Sequence, residues 1–104
     1  MLAAMYRQGE GVSKDEAEAL KWCRKAAEQG EPSSQFRLGA SYQIGNGVHQ
    51  DYVQAYMWLN LSAASPGRSQ ERAAKLRDDV AALMTREQIA EAQRLAREWK
   101  PAQK

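Results

Sequence analysis

The side chains of this sequence that could do chemistry are few, and none has its usual partner nearby. Cys23 is the only cysteine, so neither an intrachain disulfide nor a Cys-x-x-Cys metal or redox motif can form. As a nucleophile it would need a base, yet it shares its helical stripe with Ala19, Trp22, Ala26 and Ala27, an apolar setting that raises a thiol's pKa. His49 is the only histidine and stands just before a helix start, where it reads as a surface loop residue. Asp15 and Asp51 recur at one register, each at a helix start, where a carboxylate accepts from exposed N–H groups and meets the positive end of the helix dipole. That makes them caps before it makes them catalytic acids. Gly9-Glu10-Gly11 and Gly45-Asn46-Gly47 hint at nucleotide loops. Lys14 and Gln50 replace the third glycine, however, and no strand precedes either stretch. Trp22 and Trp58 could form an aromatic box, but their shared setting among small residues reads as core packing.

Charge and composition exclude further classes. The formal net charge of +2 is too close to balance for a polyanion-binding surface, so no nucleic-acid partner is expected. No apolar run has the length of a membrane span, and no basic stretch leads into an apolar segment at the start. The chain reads as soluble and without an export signal of its own: cytoplasmic, or periplasmic where an upstream signal has been removed. No cofactor and no metal are expected.

The elements that hold these residues follow from an internal repeat. Shifting the sequence by 36 places aligns residues 2–27 with 38–63, and ten of the 26 positions are identical: Leu2/Leu38, Ala4/Ala40, Tyr6/Tyr42, Gly9/Gly45, Gly11/Gly47, Val12/Val48, Asp15/Asp51, Ala19/Ala55, Trp22/Trp58 and Ala27/Ala63. Composition alone would give about one or two such matches. Each unit reads as two helices. Leu38, Gly39 and Tyr42 form one stripe of a first helix, which the glycines at 45 and 47 terminate. Ala19, Trp22, Cys23, Ala26 and Ala27, repeated as Ala55, Trp58, Leu59, Ser62 and Ala63, form the core stripe of a second. In the first unit Ser13 and Glu16 have capping-box spacing.

Glycine and proline mark the boundaries, at Gly30 and Pro32 and again at Pro66 and Gly67. Beyond them the repeat stops. Ala73, Leu76, Val80 and Leu83 fall on one face of a helix over 69–84. Thr85 and Gln88 have capping-box spacing before a helix over 86–99, with Ile89, Ala92, Leu95, Ala96 and Trp99 inward. The full expectation is six helices, at 1–8, 14–29, 33–44, 51–64, 69–84 and 86–99.

These residues resemble Sel1-like repeats, relatives of the tetratricopeptide repeat. Unit two carries the resemblance in Leu38, Gly39, Tyr42, Gly45, Gly47, Val48, Asp51, Ala55, Trp58 and Ala63. Unit one carries it in Tyr6, Gly9, Gly11, Val12, Asp15, Ala19, Trp22, Ala26, Ala27 and Gly30. The segment from Met84 to Trp99 resembles the C-terminal piece that follows the last repeat in bacterial members. The resemblance implies an all-α solenoid over 1–104: repeat one 1–31, repeat two 32–67 and a helical hairpin cap 68–104. Four departures stand out: Cys23 at a frequent Tyr position, Ser34 at an Ala position, Ser62 for the first Ala of a pair, and Pro66-Gly67 in the closing turn. Some relatives with a disulfide in every repeat are linked to β-lactam binding, and this chain lacks those cysteines.

With no catalytic constellation, function is expected on a surface. First helices of stacked repeats commonly line the concave face. Opposite the Leu38/Gly39/Tyr42 stripe that face presents Arg37, Ala40, Ser41 and Ile44, with Ala4, Met5 and Gln8 as unit-one counterparts. The resemblance implies a non-catalytic scaffold or adaptor holding a protein or peptide there. The rivals are a β-lactamase-like hydrolase and a C-terminal structural fragment of a longer solenoid. The first helix, aligned with a unit-two helix that starts earlier, begins about a turn short and bears Met1, Leu2 and Met5. Self-association through this uncapped end, or further repeats upstream, is expected to cover it.

Overall fold

A computed structural model describes residues 14–101, and each apolar stripe in that span lies on a helix: α1 (Lys14–Glu28), α2 (Pro32–Ile44), α3 (Tyr52–Ala63), α4 (Gln70–Ala81) and α5 (Arg86–Glu98). Five expected helices are thus present within three residues of their expected ends. There is no strand among the described residues. The sixth expected helix, the Gly9–Gly11 turn, Ser13 and the N-terminal end proposed to self-associate lie outside the described residues.

Local chemistry sets the helix ends. Pro32 opens α2 behind Glu31, whose carboxylate accepts from the Ser34 backbone N–H at 3.0 Å. Gly45 closes α2 in the left-handed region at φ 76°, its N–H donating to the Ser41 carbonyl at 2.7 Å. Asp51 caps α3 by accepting from the Gln54 N–H at 3.1 Å. The Thr85/Gln88 capping box is formed in both directions, at 3.1 and 2.9 Å. Asp15 differs slightly from its expected role. It lies in the first turn of α1, one residue inside the helix, where its charge still meets the dipole.

The helices pack in sequence order, α1 on α2 and α2 on α3, with α3 also contacting α4 and α5. With neighbours on three sides, α3 is buried nearly all round. Tyr56 and Met57 join the expected Ala55, Trp58, Leu59 and Ser62 in the core, as a helix with no charged residue permits. Closest approach between α2 and α3 falls at Gly39, where a Cβ would stand 2.8 Å from Leu59 Cγ and 3.1 Å from the Ala55 carbonyl oxygen. Ser62 donates to the Pro32 carbonyl at 2.9 Å, which gives its hydroxyl a partner where Ala was expected. Gln35, not foreseen as core, is buried and donates to the Ala27 carbonyl at 3.2 Å across the α1–α2 junction.

Two expected core residues are not in the core. Trp22 is 67 % exposed, against 3 % for its repeat mate Trp58. Trp58 leans on Trp99 of the cap, whereas Trp22 points away from α2 and its ring lies under the Lys25 ammonium at 5.0 Å. In its place Leu20 fills the α1 core and reaches the Gly47 turn. Leu83 is 60 % exposed because α4 ends at Ala81 and the turn over 82–84 takes it out of helical register with Ala73 and Val80.

Candidate functional site

The groups first singled out for their chemistry are occupied by structure. Asp51 is a cap, and Gly45 and Gly47 form the turn, with Gly47 packed against the Glu16 carbonyl of α1. Cys23 is buried and donates its S–H to the Ser34 carbonyl at 3.2 Å. Burial pushes the thiol up from its ordinary pKa, an effect the nearby Arg37 charge and the Ser34 hydrogen bond offset only in part. Trp58 is buried while Trp22 faces outward, so the two rings do not enclose a common space. His49 is exposed. Among the described residues no three His, Cys, Asp or Glu side chains gather as a metal site.

That leaves the outer side of α2. Its inner side is fixed by Leu38, Gly39 and Tyr42, the last accepting a hydrogen bond from Arg24 of α1. Opposite, Arg37 is exposed, Ala40 is half-buried and Ile44 is 66 % exposed, a large apolar side chain in water. Ser41 departs from the expected patch: it is buried, because it sits a helical turn from Leu38 on the packed side. Ala4, Met5 and Gln8 lie outside the described residues.

Between α2 and α4 lies a shallow groove of about 240 Å³, lined by Phe36, Arg72, Lys75, Leu76 and Asp79. The Arg72 guanidinium lies over the Phe36 ring, 4.9 Å from its centroid. Sequence reasoning missed this groove because α4 falls outside the repeat, so no register related Arg72 to Phe36. The helical spacing of Arg72, Lys75, Leu76 and Asp79 was the signal that could have found the α4 side.

The internal repeat seen in the sequence also has a counterpart among known families. The Sel1 repeat model matches twice, over residues 1–31 and 32–66. The chain belongs to the Sel1 repeat family. Among solved structures, a protective antigen present in uropathogenic Escherichia coli strains and displaying an SLR fold superposes with a TM-score of 0.73 at 39 % identity. That match covers 88 % of this chain but only 19 % of the antigen. No curated protein matches. As a Sel1 repeat protein, the chain is an all-helical solenoid in which α1 closes the first repeat, α2 and α3 form the second, and α4 and α5 follow it. No helix among the described residues is long and apolar enough to cross a membrane.

Proposed function

We propose that this Sel1 repeat chain is a non-catalytic scaffold that holds a protein or peptide on the outer side of α2. The observation that carries the reading is Ile44, 66 % exposed on the first helix of repeat two, with Arg37 two turns away on the same side. A sec-butyl group in water, on the same side of the helix as a guanidinium, suits an interface, where burying apolar surface is favourable and arginine is enriched. Ala40 between them keeps the surface low, and in the sequence the 36-residue register pairs Ala4, Met5 and Gln8 with Ala40, Ser41 and Ile44.

Capture from the native extract, with captured proteins identified by mass spectrometry, tests this. A partner retained by the wild-type chain and lost with Ile44→Asp, while circular dichroism stays helical, is the expected result. Retention by both chains would move the interface elsewhere.

A further inference from the structure

The groove between α2 and α4 has an apolar floor, a cationic rim and no internal ion pair. Phe36 and Leu76, both half-buried, supply the floor; Arg72 and Lys75, both exposed, supply the rim. Asp79 is the one carboxylate in the lining. Among the described residues the salt bridges are Arg77 with Asp78 and Arg94 with Glu91 and Glu98, so none engages Arg72 or Lys75. The Arg72 guanidinium carbon lies over the Phe36 ring, 4.9 Å from its centroid. A guanidinium held by a cation–π contact keeps N–H groups that can donate two parallel hydrogen bonds to a carboxylate.

We propose that this groove binds an acidic peptide segment, with one apolar side chain seated on Phe36 and Leu76 and flanking carboxylates on Arg72 and Lys75. The assignment rests on the interaction reading above and deepens it by naming the partner's chemistry. Size selects a peptide over a small molecule. At about 240 Å³ and open to solvent, the groove falls below the ~300–1,000 Å³ of enclosed ligand pockets, but it accommodates a single anchoring side chain. Charge selects the flanks, since two unpaired cations, Arg72 and Lys75, against one carboxylate repel a basic segment and attract an acidic one. The apolar floor disfavours a bare polyanion, which would leave Phe36 and Leu76 uncovered.

A displayed library of random peptides, selected on the purified chain, tests the assignment; the best binder is then synthesised and measured by fluorescence anisotropy. Enriched peptides should carry acidic residues around one large apolar residue. Affinity should fall about tenfold or more when salt rises from ~0.05 to ~0.5 M, or when Arg72→Glu and Lys75→Glu are combined. The double variant, kept helical as judged by circular dichroism, should instead select basic peptides. Peptides without acidic bias, or acidic ones that bind the double variant equally well, would overturn the groove assignment and leave the wider interaction reading standing. A selection that enriches no peptide would overturn the groove assignment; lost capture from the native extract as well would remove the wider reading.

Discussion

Trp58 of α3 and Trp99 at the end of α5 meet edge to face, with ring centroids 6.2 Å apart and planes at 74°. Aromatic quadrupoles favour this arrangement, and here it fastens the segment after the last repeat to the second repeat. Trp22 holds the equivalent repeat position but makes no such contact among the described residues and is 67 % exposed. One position of the repeat therefore has two energetic roles. Trp58→Ala should cost about 3–5 kcal/mol, as for other large buried aromatics. Trp22→Ala, like Arg37→Ala and Ile44→Ala, should stay within about 1 kcal/mol. Urea unfolding of the single variants checks this, and equal losses at both tryptophans would contradict the assigned packing.

Gly39 makes a second test of how the repeat is packed. Alanine is the better helix former by about 1 kcal/mol, so propensity alone favours Gly39→Ala. The added methyl would sit 2.8 Å from Leu59 Cγ and 3.1 Å from the Ala55 carbonyl, and the backbone oxygen cannot turn aside as a side chain can. Overpacking of this kind costs about 1–3 kcal/mol. The expected net result is a lower unfolding midpoint in thermal denaturation. An unchanged or raised midpoint would show that α2 and α3 lie farther apart than described.

Cys23 gives a pH-dependent prediction. Burial raises the thiol's pKa in the folded chain, while the unfolded thiol keeps its ordinary value of about 8.5. Below that value both states hold the proton, and the group adds no pH slope. Above it the unfolded state loses its proton first, so stability falls as pH rises until the folded thiol ionises too. Cys23→Ala should lose stability at neutral pH through the deleted packing, yet show a shallower decline between neutral and alkaline pH than the wild type. Parallel declines in urea unfolding would mean that the thiol is not desolvated.

Where local rules and repeat register agreed, the sequence was legible. Thr85 with Gln88, Asp51, Pro32 and Gly45 each stand at the helix ends their chemistry implied. Reading failed where burial depends on neighbours that periodicity does not specify. Nothing in the 36-residue register distinguishes Trp22 from Trp58, because what covers Trp58 is Trp99, a residue outside the repeat. The stripe through Ala73, Val80 and Leu83 assumed that α4 ran on to 84, and the turn after Ala81 took Leu83 out of it. Ser41, expected on the outer face with Arg37, Ala40 and Ile44, lies close enough to the Leu38 side to be buried. The α2–α4 groove requires two helices from different parts of the sequence, and no local pattern joins them.

Site-specific photo-crosslinking tests the central claim, that the chain works through the outer side of α2, most directly. A photoreactive residue would be placed at Ile44 or Arg37 and, as the opposing control, at Ala90 on the exposed side of α5. Irradiation in the native extract should give a discrete crosslinked protein from positions 44 and 37, the same from both, and none from position 90. Crosslinking from position 90 alone, or equally from all three, would contradict the account.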